Sequence, residues 1–406
     1  MWYDPERSSG DVTLMIIHSK KVEQTIDRDV RETFNKELVV VRVGDEPTVV
    51  QPAATASKSS PPPPPLDLEE DLRPLHVTPA AEVGVPLAMI RKRLWGREAE
   101  TSAPVVLIHG YGQNRYAWHL PGRSLFNYLV RAGFDVFNLE LRGHGRSRHL
   151  GAHPPREVRS FVEEDVPAAI DEVQRLSGGR RVFLVGHSLG GLVAYGAAAV
   201  LGERIAGVVT LGSPYQFTRG SLTLALASHL LAAVDGKIDL GQGLLPLKPL
   251  SEAMRLLRGF IESPIFPLPI RGFAPGTMEP RILSQHMALA MDQGSVSVLR
   301  HMFLSAAEAR RGGHPMGELG EYADEFESLD VPLLVIAGTE DDLAPPASVH
   351  PAYLRSRSTD KTYRAFAHGH IDLLVGRAAT TTIWPLLASW LSWRARRFAP
   401  TRPSAA

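Results

Sequence analysis

The sequence predicts an α/β fold: a mostly parallel sheet doubly wound by helices, with a helical insertion late in the chain. Three observations lead there. Short, continuous apolar runs recur at residues 104–110, 134–139, 181–185, 205–211 and 331–337, as expected of strands buried on both faces of a parallel sheet. Helix-compatible stretches at 124–132, 162–176 and 191–200 alternate with them. Glycine-containing loops close the strands, and in such sheets function gathers at the carboxyl ends of the strands.

Composition bounds the alternatives. The chain has 406 residues, enough for one large domain with insertions or for two domains. Lys plus Arg and Asp plus Glu both number 44, so no charge excess calls for nucleic acid or an anionic membrane as a partner. No cysteine is present, which excludes disulfides, thiolate metal sites and a cysteine nucleophile. Residues 1–10 carry charge without an apolar core, so no secretory signal is visible. The longest apolar stretch, 222–234, contains His229 and is too short to span a bilayer. A cytoplasmic protein without stable membrane insertion is the expectation, and nothing in the sequence specifies an oligomeric state.

In chain order, residues 1–50 form an appendage to which no chemistry attaches. Runs at 12–17 and 38–43 suit buried strands. Between them Val22, Ile26, Val30 and Phe34 recur every four residues, as in an amphipathic helix, so a small β-α-β unit would fit. Residues 51–70 contain five consecutive prolines, 61–65, and are expected to be a semi-rigid linker rather than a ligand for an aromatic groove. The main domain spans 71–396. It begins with a turn and strand at 83–94 and continues through the alternating runs. The alternation stops at Pro214. A helix-prone segment rich in Leu, Ala and Met, broken by prolines at 264–269, is expected to form a cap at about 215–325. A helix carrying Trp384, Trp390 and Trp393 closes the domain, and the basic tail 397–406 is expected to be disordered.

The chemistry centres on Gly186-His187-Ser188-Leu189-Gly190, placed between a strand-like run and a helix-compatible one. A strand-to-helix turn this sharp strains the serine backbone, and glycine on either side removes the side chains that would collide. It leaves the Ser188 hydroxyl exposed at the strand end. A serine hydroxyl needs a base within reach and an acid to orient that base. Gly338-Thr339-Glu340-Asp341-Asp342-Leu343-Ala344-Pro345 offers three adjacent carboxylates. Asp341 is favoured, three residues after the strand-ending glycine, with Glu340 and Asp342 expected to meet solvent or cap the next turn. Ala367-His368-Gly369-His370 offers two imidazoles, of which His370 is favoured because it adjoins the apolar run opening the last helix. Two backbone N–H groups must face the developing oxyanion. Leu189 supplies one; Tyr111, in His109-Gly110-Tyr111-Gly112, is the natural second, with Gly112 as alternative. His109 and His144 are expected to hold their turns by hydrogen bonds rather than act on substrate.

Taken together, His109-Gly110-Tyr111-Gly112-Gln113-Asn114, Arg142-Gly143-His144-Gly145-Arg146-Ser147, Gly186-His187-Ser188-Leu189-Gly190, 338–345 and Gly369-His370 resemble the α/β-hydrolase superfamily, most closely its esterase and lipase members. The resemblance covers roughly residues 73–214 and 325–395. It implies an α/β-hydrolase fold with an eight-stranded, mostly parallel sheet, and hydrolysis through an acyl-enzyme that needs no metal or cofactor. Asn114-Arg115 and His370-Ile371-Asp372-Leu373 are also similar to segments of polyhydroxyalkanoate synthases and acid lipases. Those synthases carry a cysteine at the elbow, where this chain has Ser188.

The expected activity is therefore a serine esterase or lipase acting on a small-molecule ester or lipid, with Ser188, His370 and Asp341 as triad and Tyr111 and Leu189 as oxyanion donors. A cap rich in Leu, Met, Phe and Pro suits a lipophilic acyl chain. An acyltransferase or thioesterase would use the same residues. A catalytically silent binding protein of this fold would lack a triad member, and none is missing here. A halide-cleaving hydrolase would need a carboxylate in place of Ser188.

Overall fold

The computed structural model describes residues 85–94, 102–235, 237, 243–257, 272–314 and 319–396, and the backbone of three earlier strands, Val39–Val43, Glu46–Val50 and Leu75–Val77. The expected strand at 12–17, the helix after it, the proline linker, the proline-rich stretch at 264–269 and the tail lie outside the described residues. The chain divides into two units, Met1–Pro61 and Pro62–Ala406.

In the first unit, β1 (Val39–Val43) falls where a strand is expected. Its partner is β2 (Glu46–Val50), antiparallel across Gly44 and Asp45. The sequence does not announce β2, because Pro47 removes a ladder donor and demotes the run.

The second unit is built on one eight-stranded sheet. Its strands are β3 (Leu75–Val77), β4 (Ala88–Lys92), β5 (Pro104–Ile108), β6 (Asp135–Glu140), β7 (Val182–His187), β8 (Ile205–Leu211), β9 (Leu333–Gly338) and β10 (Lys361–Phe366). They lie in the order β10-β9-β8-β7-β5-β6-β4-β3. Only β4 runs against the rest, pairing antiparallel with β3 and β6, while every other neighbour pair is parallel. This is the expected mostly parallel sheet of the α/β-hydrolase fold.

The apolar runs become central strands because side chains alternate across the pleat and both faces are covered. Val106 and Ile108 of β5 enter one apolar cluster, Val105 and Leu107 the other. Leu333, Val335 and Ala337 divide from Leu334 and Ile336 in the same way along β9. On the first face lie α2 (Val166–Ser177), α3 (Leu189–Leu201) and α8 (Gly320–Ser328), with Ile170, Val193 and Phe326 buried. The second face is covered by α1 (Leu125–Arg131) and α9 (Ile383–Ala395), through Phe126, Leu129, Trp384 and Leu387. Each such side chain withdrawn from water contributes about 1.5–3 kcal/mol.

The edge strand β10 has no counterpart among the expected strands. Its residues are only partly buried, and Lys361 and Arg364 interrupt any apolar run, as befits an edge guarded by charge. Between β8 and β9 the chain leaves the sheet for a largely helical insertion that includes α4 (Leu222–Val234), α5 (Leu247–Leu256), α6 (Pro280–Gln285) and α7 (Val296–Arg310). A two-residue antiparallel pairing, Leu244–Leu245 with Gly294–Ser295, ties two parts of it together. Among the described residues no helix is long and apolar enough to cross a membrane.

Candidate active site

Ser188 sits on the turn from β7 into α3 with φ 54° and ψ −124°, a region that costs a side chain about 1–3 kcal/mol. The surroundings hold it there. Its N–H donates to the Leu211 carbonyl at 3.0 Å, and its own carbonyl accepts from Gly191 N–H at 3.0 Å. The flanking glycines are required for space. A Cβ on Gly186 would stand 2.5 Å from the Gly191 Cα, and one on Gly190 would land on the Ile108 carbonyl of the neighbouring strand. Helix and strand therefore approach as only glycine allows, and Ser188 is left half-exposed at the sheet's carboxyl end.

Asp341 follows β9 and is buried, while Glu340 and Asp342 on either side are exposed. One carboxylate oxygen, Oδ1, accepts the N–H groups of Leu343 (2.9 Å) and Ala344 (2.7 Å). The other, Oδ2, accepts from His370 Nδ1–H at 2.7 Å. This bond orients the ring and directs Nε2 away from the aspartate. Two backbone bonds join the aspartate's loop to the histidine's: Thr339 N–H to the Phe366 carbonyl (2.7 Å) and Glu340 N–H to the His368 carbonyl (3.1 Å). Gly212, at φ +53°, leaves room for the pair; a Cβ there would lie 3.0 Å from Asp341 Oδ2 and 3.2 Å from His370 Nδ1. Because Gly212 directly follows Leu211, the residue bonded to Ser188, one connection carries both the serine's anchor and the floor beneath the His–Asp pair.

His368 goes elsewhere. Both of its ring nitrogens are buried without a hydrogen-bond partner among the described residues, its ring meets the edge of Phe366, and burial lowers its pKa. Of the two candidate imidazoles, only His370 meets the aspartate.

The N–H of Leu189 opens α3 and has no intrahelical acceptor, as at any helix start. The loop after β5 lies against Ser188. There a Cβ on Gly110 would lie 3.0 Å from Ser188 Cβ, so the backbone passes directly over the serine. Tyr111 turns its side chain away, its hydroxyl donating to the Ser295 carbonyl at 2.8 Å, and Gly112 takes φ +61°. Both candidate second donors, Tyr111 and Gly112, thus belong to the loop crossing the serine.

His109 braces this loop. Leu141 N–H donates to its Nε2 at 3.2 Å and its Nδ1–H donates to the Gly110 carbonyl at 2.9 Å. Complete burial, aided by neighbouring His144, pulls its pKa down to about 3, which keeps the ring neutral. His144 precedes the short helix Gly145–His149, and its Nδ1–H donates to the Arg142 carbonyl at 3.0 Å.

Two residues to which the sequence assigns no role belong to this construction. Gln113 Oε1 accepts from Gly110 N–H at 3.1 Å and lies 3.2 Å from His187 Nδ1. His187 Nε2 in turn is 3.2 Å from the His370 carbonyl, and the two rings lie 4.5 Å apart. A chain of contacts therefore runs from the loop over Ser188 to the loop carrying His370. Asp372 is fully buried, and its Oδ2 accepts from Gly369 N–H at 2.9 Å and from Ala274 N–H of the insertion at 2.7 Å. Burial raises its pKa against those bonds. Position within the quoted motifs is the only sequence signal for either residue. Among the described residues no three His, Asp or Glu side chains converge as a metal site would require.

The arrangement is a strained serine, an imidazole held by a buried carboxylate, and a glycine-containing loop over the serine, all at one end of a sheet. Among curated proteins, the chain is 26% identical over 238 residues to (E)-2-((N-methylformamido)methylene)succinate hydrolase of Acinetobacter baylyi, covering 59% of this chain and 72% of that one. It is 24% identical over 251 residues to the pimeloyl-[acyl-carrier protein] methyl ester esterase of Citrobacter koseri, covering 62% and 80%. Among solved structures, it resembles in fold a thermostable carboxyl esterase from Bacillus coagulans, with a TM-score of 0.55, 17% identity, and coverage of 80% of this chain and 99% of that one. The Alpha/beta hydrolase family profile matches residues 105–382, from the first buried parallel strand through the histidine loop, and the chain belongs to that family.

Proposed function

We propose that the protein is a serine hydrolase that cleaves carboxylic esters through an acyl-enzyme. The 2.7 Å bond between His370 Nδ1 and Asp341 Oδ2, formed behind the elbow that presents Ser188, carries this reading. His370 Nε2 takes the Ser188 proton as the hydroxyl oxygen attacks the ester carbonyl. Asp341 holds the tautomer and stabilises the imidazolium that forms. The N–H groups of Leu189 and Tyr111 receive the oxyanion, each contributing about 3–4 kcal/mol in the transition state. The alcohol leaves with the proton from His370. Water, deprotonated by the same imidazole, then releases the acid.

A lipophilic acyl group suits the site's apolar neighbours. Leu247 of the insertion packs against Gly112, and Met254, on the same helix α5, joins the apolar cluster on that side of the sheet.

The test is labelling with a fluorophosphonate probe alongside a p-nitrophenyl ester series from acetate to palmitate. Wild-type protein should take one label and hydrolyse the series, and Ser188→Ala should do neither. Labelling that survives in Ser188→Ala would eliminate the nucleophile, and activity restricted to acetate would remove the lipophilic preference.

A further inference from the structure

The loop over Ser188 takes its shape from the insertion. Two of its residues are glycine, so its backbone alone would sample many orientations. The insertion meets it where the helical segment His286–Ala290 ends, with Gln113 bridged antiparallel to Met291. Asn114 N–H donates to the Ala290 carbonyl at 3.0 Å, and the Asn114 side-chain amide to the Leu289 carbonyl at 2.9 Å. Asp292 N–H donates to the Gly112 carbonyl at 2.8 Å, which fixes the peptide plane between Gly112 and Gln113.

Asp292 is itself held. Its side chain is nearly fully buried; Oδ2 accepts from Gly145 N–H at 2.6 Å, and Oδ1 from Arg148 at 2.7 Å and Gln293 N–H at 2.7 Å. Burial pushes its pKa up, but the Gly145 and Gln293 amides and Arg148 outweigh that and hold the carboxyl below the ordinary range. The carboxylate thus clamps its own backbone to the loop after β6, and that backbone clamps Gly112. An oxyanion donor works only within a few tenths of an ångström of its mark, so a loop held by several bonds loses precision when this one is removed.

We propose that Asp292 is a positioning residue for the oxyanion hole, so that the insertion helps assemble the catalytic site as well as cover it; this rests on the serine-hydrolase reading above. Asp292 touches neither substrate nor triad and acts through the Gly112 carbonyl, in the peptide that directly follows the two bearing the Tyr111 and Gly112 N–H groups.

The experiment uses the full chain and three variants, Asp292→Ala, Asp292→Asn and Arg148→Gln. Active sites are counted by fluorophosphonate stoichiometry. The kcat per labelled site and KM are measured on p-nitrophenyl butyrate, with Ki for a trifluoromethyl ketone of matching acyl length, whose adduct with Ser188 carries an oxyanion. Asp292→Ala should lower kcat per site about 10- to 100-fold, less than the loss of a donor outright, with KM nearly unchanged and Ki rising in step. Asp292→Asn, which keeps an acceptor for Gly145, should recover most of that loss, and Arg148→Gln should show a smaller change in the same direction. A fall in the number of sites with kcat per site and Ki unchanged makes Asp292 merely structural and overturns the proposal. Should Asp292→Ala fail to fold, an unchanged Ki in both other variants overturns it equally. A wild-type protein that takes no label and cleaves no ester sinks both readings, whereas an active wild type with indifferent variants sinks only this one.

Discussion

His370 gives its Nδ1–H to Oδ2 of Asp341 at 2.7 Å, while the other oxygen of Asp341 is occupied by the amides of Leu343 and Ala344. The two carboxylate oxygens therefore act separately, one fixing the aspartate to its loop and the other fixing the imidazole. Asp341→Asn can still accept the two amides but presents an N–H₂ or a neutral oxygen to the ring. The wrong tautomer is then favoured, and kcat/KM should fall about 10⁴-fold, roughly 5 kcal/mol of transition-state stabilisation, with little loss of melting temperature. Ester hydrolysis kinetics at pH 8 checks this, and a loss below tenfold would take Asp341 out of the mechanism.

The two histidines of the last loop should separate cleanly. His370→Ala removes the proposed base and should abolish turnover to within the residual rate left by the amides and binding alone. His368→Ala leaves the His370–Asp341 bond in place. It empties a buried site with no hydrogen bond to lose, so stability should drop by about 1–3 kcal/mol while kcat stays within a few-fold. Denaturant melts and kinetics on both variants decide it; the opposite pattern would make His368 the base.

Two glycines test the origin of the elbow. Gly190→Ala drives a Cβ into the Ile108 carbonyl of the adjacent strand and should cost more than about 3 kcal/mol or prevent folding. Gly178→Ala, at the end of α2 with φ +71° and open space around it, bears only backbone strain, about 1–2 kcal/mol. Urea denaturation of both gives the comparison, and equal costs would refute the steric account of the turn.

His286, on the insertion, is fully buried with neither ring nitrogen partnered among the described residues, and burial lowers its pKa to about 4. In the unfolded chain it titrates near 6.5, so below that pH the unfolded state binds the proton first. Stability is therefore lost as pH falls from 6.5 toward 4, by about 2 kcal/mol at pH 5 from this residue alone. His286→Leu removes that share: it should be neutral or stabilising at pH 7.5, and the gap in melting temperature between pH 7.5 and pH 5 should narrow. His109, with its pKa near 3, leaves part of the acid sensitivity in place. An unchanged gap would show that His286 is not held neutral.

What is legible in the sequence is what short stretches of chain decide for themselves. Continuous apolar runs such as 104–108 are typical of strands covered on both faces, and the alternation of Val106 and Ile108 against Val105 and Leu107 bears this out. The Gly-His-Ser-Leu-Gly turn is a steric statement about five residues, and the structure places Ser188 at φ 54° on it. Choices among neighbours belong to the tertiary structure. Glu340, Asp341 and Asp342 are chemically alike, and spacing alone favours Asp341; its burial, with the amides of Leu343 and Ala344 on one oxygen and a histidine 29 residues later on the other, belongs to the fold. The edge strand β10 has no apolar run to announce it, since its place depends on β9 beside it. Gln113, Asp372 and Asp292 stand out little in the sequence because each meets a partner brought in from another part of the chain, His187 being 74 residues from Gln113, Ala274 98 from Asp372 and Gly145 147 from Asp292. Periodicity and local sterics act over a few residues, whereas the positioning of an amide or an imidazole is settled by whatever the fold packs behind it.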